Sequence, residues 1–377
     1  MSDGKNGALT FAAVGDIGAV VHETADHLFE LNAHVLKAAD ITFGQLETTY
    51  STRGERQLGG FRWNVPYRPP LGNVPSFRRV GFDIMSFASN HSLDYGVEAF
   101  FDTIDLLKKN DIEVVGVGKD LAEARKPVFM ERNGVRVAFL AYNSILPPGY
   151  DATYDRPGTN PIRVSTFYEQ VDWQPGTPPR IVTMANSEDL EGMREDIRKV
   201  RSQADIVIVA QHSGVHLVPD VLCMYQKEIA RAAVDCGADL VLQHHAHLLA
   251  GVEIYKGKGI FYGLGNFAQE SFRGTLLETS LVKEHHEFYK LKIDPEWKNF
   301  PFPGEARKTM IVKAAITNKK ITKVGFVPCL TNQKVQAEVL PKKDPRSQVV
   351  VDYVAELSRN QGFNTTFSWE GDEIVVG

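Results

Sequence analysis

The chain has 377 residues, of which 42 are basic and 47 acidic, so its formal net charge at pH 7 is -5. This near-neutral balance lacks the basic character that nucleic-acid binding requires, and we predict no nucleic-acid partner. Three cysteines, an odd number, argue against a disulfide framework, and no signal peptide or membrane span is apparent. We therefore expect a cytoplasmic protein whose residues 1–377 form a single domain with additions.

Short apolar runs alternate with helical patterns over most of the first 267 residues. The runs are bounded by polar or turn-forming residues, as buried strands are. The predicted strands are Leu9–Val14, Asp40–Leu46, Phe82–Ala88, Ile112–Val115, Val135–Tyr142, Asp205–Ala210, Asp239–Leu242 and Ile260–Leu264. A 3.6-residue periodicity predicts helices at about Tyr95–Lys109 and Val221–Cys236. This alternation predicts an α/β fold in which helices cover sheets.

Two later stretches depart from the alternation. Residues 146–203 are rich in proline, glycine and polar residues and are too long for an ordinary loop. Their aromatic residues favour an ordered lid or substrate-binding insertion over a disordered excursion. Residues 305–377 are predicted to complete a sheet, with strands at Met310–Ile316 and Ile321–Val327, a helix at about Ser347–Gln361 and a final hairpin at Thr366–Val376.

Five of the predicted strands lead into side chains that can bind a metal or move a proton. These side chains are Asp16, Glu47, Asn90, His91, His212, His216, His244, His245 and His247. Loops that leave the same edge of a sheet converge, so we expect a shared site. Carboxylate, amide oxygen and imidazole are ligands for Mn²⁺, Fe or Zn²⁺, and the absence of nearby cysteine argues against a structural zinc site.

Each of these residues also has an ordinary structural interpretation. Asp16 is compatible with a turn after Gly15, and Glu47 with a solvated strand end. Asn90 or Ser92 is placed where it would cap the following helix, and Asp94 where it would favour the helix dipole. The coincidence of potential ligands at five separate strand ends favours the shared site.

Several segments of the chain carry a family resemblance. They are Gly15-Asp16, Gln45-Leu46-Glu47, FASNHSLDYG, VGVGKDLAEARKPV, Gln211–Gly214 and GADLVLQHHAHLLAGVEIYKGKGIFYGLGNF. Together they resemble the CapA family of poly-γ-glutamate capsule-synthesis proteins, from about residue 8 to residue 267. That family is similar in fold to the calcineurin-like metallophosphoesterases. The resemblance implies an α/β fold, a four-layer αββα sandwich of two mixed sheets flanked by helices, with the site at the carboxyl ends of the strands.

The resemblance also implies roles for single residues. The metal-binding positions of the superfamily match Asp16, Glu47, Asn90, His212, His245 and His247, with the register inside residues 244–247 open by one position. These ligands would hold one or two divalent ions, Mn, Fe or Zn. His91 matches a histidine that acts as general acid or orients substrate, and the catalytic set is Asp16, Asn90, His91 and His212. Arg62, His216 and His244 are the candidates for substrate contact, although Arg62 also suits an ordinary surface position.

Three departures from the family pattern leave metal occupancy open. The superfamily usually opens with Asp-x-His, and here the third residue is Gly18. The family's Gly-His-His-Pro-His has Gln243 and Ala246 in place of its glycine and proline. Its His-Trp-Gly-x-Glu becomes His-Ser-Gly-Val-His, which ends in His216. A site without metal is therefore an alternative.

Three functions are consistent with the sequence. The first is a metal-dependent hydrolase of a phosphoester or an amide or peptide-like substrate. The second is a metal-free acid–base enzyme, such as a peptide or amino-acid epimerase, that uses the pair Asp16 and His91 or the pair His212 and His247. The third is a non-catalytic capsule-assembly protein, for which we would expect an apolar N-terminal anchor.

The expected partner is a small molecule or a peptide, and the sequence leaves the oligomeric state open. The pair His285-His286 is expected to be exposed to solvent or to reach over the site.

Overall fold

The computed structural model describes residues 7–18, 20–57, 68–270 and 302–377, together with residues 287, 290, 292, 294–297, 299 and 300. Arg62 and the pair His285-His286 lie outside these residues. The predictions made for them therefore stay predictions.

The described residues form strands β1 to β20 and helices α1 to α8, numbered in chain order. The strands are Ala8–Ile17, Ile41–Leu46, Ile84–Ser86, Glu113–Val115, Val117–Gly118, Val128–Arg132, Val135–Asn143, Gly158–Thr159, Val164–Glu169, Arg180–Ala185, Ile206–Ser213, Leu240–His245, Val252–Tyr255, Lys258–Phe261, Asn266–Ala268, Lys308–Thr317, Lys320–Thr331, Ala337–Val339, Phe367–Glu370 and Glu373–Val376. The helices are Asp26–Phe29, Ala33–Lys37, Asn73–Arg79, Gly96–Lys109, Leu121–Ala124, Ser187–Arg201, Met224–Asp235 and Pro345–Asn360. A 3₁₀ helix spans Gly304–Arg307.

Two large mixed sheets form the centre of the fold. The first has the order β19-β20-β17-β16-β1-β2-β3-β4, with β15 beside β1 and β18 beside β17. In it β1 to β4 are parallel, whereas β16, β17 and β20 pair antiparallel with their neighbours. The second sheet has the order β13-β14-β12-β11-β7-β6, of which β7, β11, β12 and β14 are parallel. Parallel strands bring their carboxyl ends to one edge, where the polar side chains gather.

The two sheets pack face to face over an apolar core. Alternate residues of β1 separate its two faces, so Phe11 belongs to the core between the sheets and Val14 to the core under the helices. On β7, the ring of Phe139 stacks on Phe43 with centroids 6.1 Å apart and planes 11° apart. Interdigitated rings of this kind fix the distance between the sheets.

Helices cover the outer face of each sheet. Helices α3 and α4 bury Phe77 and Phe100 against the first sheet. Helices α6 and α7 bury Ile197 and Ile229 against the second sheet. Each helix presents an apolar stripe to its sheet, as its periodicity requires. The predicted four-layer αββα sandwich of two mixed sheets flanked by helices is confirmed.

The predicted strands are present, but three of them extend further towards the site than the apolar pattern indicates. Strand β1 continues to Ile17, β11 to Ser213 and β12 to His245. Asp16, His212 and His245 are therefore held by sheet hydrogen bonds and do not lie in loops. The apolar pattern missed these extensions because polar residues that face a buried site continue a strand as well as apolar ones do.

Part of the stretch 146–203 belongs to the body of the fold. Helix α6 lies in it and packs on the second sheet through buried Leu190 and Ile197. The antiparallel pair β9 and β10 precedes this helix, and most of β9 is exposed. A lid or substrate-binding role for the stretch stays a prediction.

Candidate active site

Side chains from both sheets meet at the carboxyl ends of the parallel strands. Asp16 lies in β1, and Glu47 directly follows the neighbouring strand β2, with its backbone N–H bonded to the carbonyl of Ile17. From the second sheet, His212 lies in β11 and His245 in β12, which pair in parallel register. Asn90 follows β3, the next strand of the first sheet. The site is thus assembled from five strands whose positions the hydrogen-bond ladders fix.

Two overlapping sets of potential ligands share Glu47. One set is Glu47, His212 and His245, and the other is Asp16, Glu47 and His247; in each, the ligand atoms lie within 4.8 Å of one another. His247 spans the two carboxylates, with Nδ1 3.2 Å from Asp16 Oδ2 and Nε2 3.4 Å from Glu47 Oε2. Glu47 therefore stands where it would contact two ions or bridge one ion to both histidine groups.

His212 contacts two oxygen atoms with a single nitrogen. Its Nε2 lies 2.7 Å from Asn90 Oδ1 and 3.0 Å from Glu47 Oε1. The contact with Glu47 lacks hydrogen-bond geometry, and among the described residues Glu47 Oε1 has no hydrogen-bond partner. Three potential ligand atoms thus crowd together with only one hydrogen bond between them, which is the arrangement that a coordinated cation would satisfy.

The charges at the site are unusual for a protein interior. Asp16 is 1% exposed and Glu47 is 2% exposed. Among the described residues, the ion pairs of both carboxylates are with histidines and none is with lysine or arginine. A buried carboxylate without a compensating charge is strongly disfavoured, so the site requires either protonated imidazole or a metal cation.

The pKa values show how the protein balances these charges in the absence of metal. Burial alone would raise the pKa of Glu47, but His247 and His212 outweigh it and hold this pKa at about 2. Burial would lower the pKa of His247, yet the charges of Glu47 and Asp16 raise it to about 9. Burial and the neighbouring His212 lower the pKa of His245 well below its ordinary value. One imidazole thus carries the counter-charge while another is kept neutral.

The backbone around the histidine motif is strained. His245 has φ 92° and His247 has φ 55°, both at positive φ, which few residues other than glycine adopt, although asparagine, aspartate and histidine do so more often than the rest. The backbone N–H of His245 donates to Asp16 Oδ2 at 3.2 Å, which holds the turn against the first sheet. Strain of this kind costs about 1–3 kcal/mol per residue and is concentrated at functional sites.

His91 lies at the edge of the site in a hydrogen-bonded chain. Its Nδ1 is 2.7 Å from Asp94 Oδ2, and the hydroxyl of Tyr150 donates to Asp94 Oδ1 at 3.1 Å. Burial would lower the pKa of His91, but the charge and hydrogen bond of Asp94 outweigh it and raise this pKa. Helix α4 begins at Gly96 with Tyr95 at its N-cap and without a side-chain cap, so the predicted cap by Asn90 or Ser92 is wrong. The helix-dipole role of Asp94 stays a prediction, and its carboxylate is hydrogen-bonded by His91 and Tyr150.

Gln269 takes a place at the site that the sequence did not reveal. Its Nε2 donates to Glu47 Oε2 at 2.9 Å. The Gln269 carboxamide occupies the space into which a Cβ on Gly18 would project. A side chain at position 18 would therefore require Gln269 to move.

The two predicted substrate-contact histidines differ in their surroundings. His244 Nε2 lies 3.2 Å from the carbonyl oxygen of Val14, and its ring packs beside Phe43 in the core between the sheets. These contacts do not support the predicted substrate contact of His244, whose pKa burial lowers to about 4. His216 is half-buried and lies beside both His245 and His247, with ring centroids 5.6 Å and 4.9 Å away. It is thus suitably placed for substrate contact.

The residues present fit a divalent metal. They offer two carboxylates, one amide oxygen and three imidazoles, a donor set typical of Mn, Fe or Zn sites. Buried Nδ1 atoms of His212 and His245 have no hydrogen-bond partner among the described residues. The structure brings together all six predicted ligands, namely Asp16, Glu47, Asn90, His212, His245 and His247.

Comparison with known proteins identifies the family. Residues 10–271 match the sequence profile of a family described as bacterial capsule synthesis protein PGA_cap. The chain belongs to this family. The matched residues include all six clustered side chains, and the resemblance to the CapA family is confirmed.

Curated relatives carry names that refer to capsule or polymer synthesis. The capsule biosynthesis protein CapA of Bacillus anthracis is 28% identical over 288 residues, which cover 74% of this chain and 64% of that protein. The PGA biosynthesis protein CapA of Bacillus subtilis is 27% identical over 285 residues, 74% of this chain and 67% of that protein. A probable polyglutamine synthesis accessory protein of Mycobacterium tuberculosis is 29% identical over 255 residues, 63% of this chain and 60% of that protein. This member of the PGA_cap family thus aligns with only part of each relative.

Two solved structures are similar over most of the chain at low sequence identity. A phosphatase from Mycoplasma pneumoniae has a TM-score of 0.49 and 13% identity, and covers 91% of this chain and 96% of its own. The calcineurin-like phosphoesterase YfkN from Bacillus subtilis has a TM-score of 0.42 and 11% identity, and the match covers 94% of this chain and 98% of that one.

Within the part of the chain that the structure describes, no helix combines the length and apolar character needed to span a bilayer.

Proposed function

We propose that this chain is a metal-dependent hydrolase. The observation that carries the proposal is the pair of buried carboxylates, Asp16 and Glu47, which no described lysine or arginine neutralises. Both belong to a set of potential metal ligands, and Glu47 belongs to two such sets. A divalent cation would replace the proton on His247 as the counter-charge. The family to which the chain belongs does not by itself define an activity, since one fold serves many reactions.

The ligands we assign are the six clustered side chains. Asp16, Glu47 and His247 would hold one ion, and Glu47, Asn90, His212 and His245 would complete a second group of ligands. A cation bound there supplies Lewis-acid activation of water and stabilises negative charge on the attacked group. Gln269 donates to Glu47 and so fixes the direction in which that carboxylate points.

His91 is the residue we assign to proton transfer. Its Nδ1 is bonded to Asp94, which leaves Nε2 as the atom that donates a proton to the leaving group. Asp94 holds the imidazole in one tautomer and orientation, and Tyr150 holds Asp94. Tyr150 belongs to the stretch 146–203, so this stretch would contribute to the positioning of His91.

Two substrate classes suit this chemistry. Phosphoesters and amides are both cleaved by water with the development of negative charge on the attacked group, which a cation and His91 would offset. The names of two relatives refer to the biosynthesis of PGA and to polyglutamine synthesis, so a γ-glutamyl amide is the first amide substrate that we propose to test. His216, half-buried beside His245 and His247, is the residue we assign to an anionic group of the substrate.

A second candidate is metal-free acid–base catalysis, such as epimerisation of a peptide or amino-acid derivative. One observation favours it: His247 and Asp16 already form a close acid–base pair, with 3.2 Å between Nδ1 and Oδ2. Such an enzyme would exchange a substrate C–H proton with solvent and would be indifferent to chelation. Deuterium incorporation from heavy water therefore separates the two candidates.

The test uses the purified protein after removal of metal with a chelator. Aliquots reconstituted with Mn²⁺, Zn²⁺ or Fe²⁺ are assayed on p-nitrophenyl phosphate, bis-p-nitrophenyl phosphate and poly-γ-glutamate, the last by change in chain length. We expect turnover of at least one substrate that disappears with chelator and returns with metal. Glu47→Gln should be inactive, whereas His34→Ala, at an exposed position of α2, should be fully active.

Two results would count against the proposal. Equal turnover before and after chelation, with no metal in the protein, would favour acid–base chemistry. Tight metal binding without turnover of any of these substrates would favour the non-catalytic capsule-assembly role.

A further inference from the structure

A second group of potential ligands lies outside the site described above. It consists of His22, between β1 and α1, His27 in α1, and Glu270, two residues after β15. His22 Nε2 is 3.2 Å from Glu270 Oε1, and His27 Nε2 is 3.5 Å from Glu270 Oε2. The ligand atoms of all three lie within 4.8 Å of one another. We call this group the His22 cluster.

The carboxylate of the His22 cluster is buried but poorly neutralised. The side chain of Glu270 is 2% exposed, and its described ion pairs are with the two histidines only. Its other described partners are the backbone N–H of Val21 and the side-chain amide of Asn299, both at 3.4 Å. These are long hydrogen bonds to neutral donors, so most of the charge of Glu270 has to be offset by His22 and His27.

The two imidazoles are arranged as ligands more than as hydrogen-bond partners. Among the described residues, the buried Nε2 of His27 has no partner of hydrogen-bond geometry. The rings of His22 and His27 meet edge to face, with centroids 4.4 Å apart and planes 84° apart. Both rings direct Nε2 towards the carboxylate of Glu270. His27 is also fixed from behind, because Gln336 donates to its backbone carbonyl at 2.7 Å.

We propose that His22, His27 and Glu270 form a separate binding site for a divalent transition-metal ion such as Zn²⁺. Two imidazoles and one carboxylate are a set that Zn²⁺ and its neighbours bind, with the remaining positions taken by water. No residue is shared with the ligands assigned to the central site. The inference therefore stands whether or not the chain is a hydrolase.

An ion in the His22 cluster would join two segments that flank the central site. It would tie the segment after β1, through His22, to the segment after β15, through Glu270. The residue before Glu270 is Gln269, which donates to Glu47 in the central site. The bound ion would thus hold Gln269 in position. The role of the ion would be structural, and its binding should measurably stabilise the folded protein.

The experiment measures Zn²⁺ binding to the full chain by equilibrium dialysis and elemental analysis after removal of metal. Relative to the wild type, His22→Ala and Glu270→Gln should each lose about one equivalent of bound Zn²⁺. Loss of a hydrogen bond to a metal ligand weakens metal binding about 10–100-fold, and loss of the ligand itself should weaken it at least as much. Glu47→Gln should retain this equivalent while it loses metal from the central site. The side chain of His22 is 56% exposed, so its replacement leaves the packing intact.

Controls make either outcome decisive. His34→Ala removes an exposed histidine outside the cluster and should bind as much Zn²⁺ as the wild type. Zn²⁺ should raise the melting temperature of Glu47→Gln more than that of a Glu47→Gln and His22→Ala double variant. Unchanged Zn²⁺ stoichiometry and affinity in His22→Ala would overturn the inference. Unchanged binding in Glu47→Gln alone would instead contradict the central site and leave the His22 cluster standing.

Discussion

The carboxamide of Gln269 fills the space beside Gly18, so that a Cβ at position 18 and this side chain exclude each other. Gln269 at the same time donates to Glu47 at 2.9 Å. The glycine in the first motif of the chain is therefore linked to a residue that follows β15 far along the sequence. Gly18 thus leaves room for an amide hydrogen bond from Gln269 to Glu47, which is a proposed metal ligand.

Substitutions at the pair should be coupled. Gly18→Ala should displace Gln269 from Glu47 and weaken metal binding about 10–100-fold, as loss of an outer hydrogen bond to a ligand does. Gln269→Ala should have a similar effect for the same reason. The double variant should bind metal no more weakly than Gln269→Ala alone. The Gln269 carboxamide, which an alanine at position 18 would displace, is already absent from it. Calorimetric titration with Mn²⁺ of the four proteins measures the coupling, and strictly additive losses would show that the two residues act separately.

The chain His91, Asp94 and Tyr150 should affect turnover without affecting metal. Tyr150→Phe removes one hydrogen bond of about 1 kcal/mol and should lower kcat roughly fivefold. Asp94→Asn removes a charged partner of His91 and should lower kcat by about 10–100-fold. KM and metal content should stay at the wild-type values in both variants. A change in KM alone would assign these residues to substrate binding and not to the positioning of His91.

His247 has two roles that substitutions can separate: its imidazole is a proposed metal ligand, and its backbone adopts a left-handed conformation. His247→Asn and His247→Val both remove the imidazole, and both should weaken metal binding. Asparagine tolerates the φ of 55°, whereas a β-branched residue does not, so the valine variant should lose about 1–2 kcal/mol more unfolding free energy. Urea unfolding of the two metal-free variants measures this difference. Equal unfolding free energies would show that the backbone conformation at this position carries no strain.

Phe139 should be essential for the packing of the two sheets. It stacks on Phe43 and lies 6.1 Å from Phe11, all three fully buried. Phe139→Ala should lower the unfolding free energy by about 3–5 kcal/mol, because a cavity is left between the sheets. Phe167→Ala, on β9 and 53% exposed, is the matched control and should change it by no more than about 0.5 kcal/mol. Chemical denaturation of both variants checks the prediction, and similar losses would contradict the assignment of the core.

Much of the fold follows from patterns that are local in sequence. Short apolar runs mark the parallel strands, and 3.6-residue periodicity marks α4 and α7, so the layer architecture is predictable. The convergence of the ligands is also predictable, because parallel strands present their carboxyl ends at one edge. The alternation of side chains along β12 also explains why His244 is buried between the sheets. Leu240 and Leu242 face that core, and His244, two residues further along the strand, lies on the same face.

The parts that could not be predicted depend on contacts between distant segments. Gln269 reaches Glu47 across 222 positions of sequence, and an amide side chain carries no signature of such a role. Tyr150 reaches Asp94 across 56 positions, from a stretch whose composition favours an ordered insertion but does not indicate which residue it contacts. Asp94 itself was assigned to a helix terminus because its position in sequence fits that role, whereas His91 three residues earlier is its partner.

An anomalous difference map, recorded at the metal absorption edge from crystals of the protein reconstituted with Mn²⁺ or Zn²⁺, would show whether the clustered side chains bind metal. In the wild type we expect a peak beside Glu47, among the ligands Asp16, Glu47, Asn90, His212, His245 and His247. The same peak should be absent in Glu47→Gln crystals prepared in the same way. A map of the fully reconstituted protein without a peak among these residues would contradict the claim that the clustered carboxylates and histidines are a metal site.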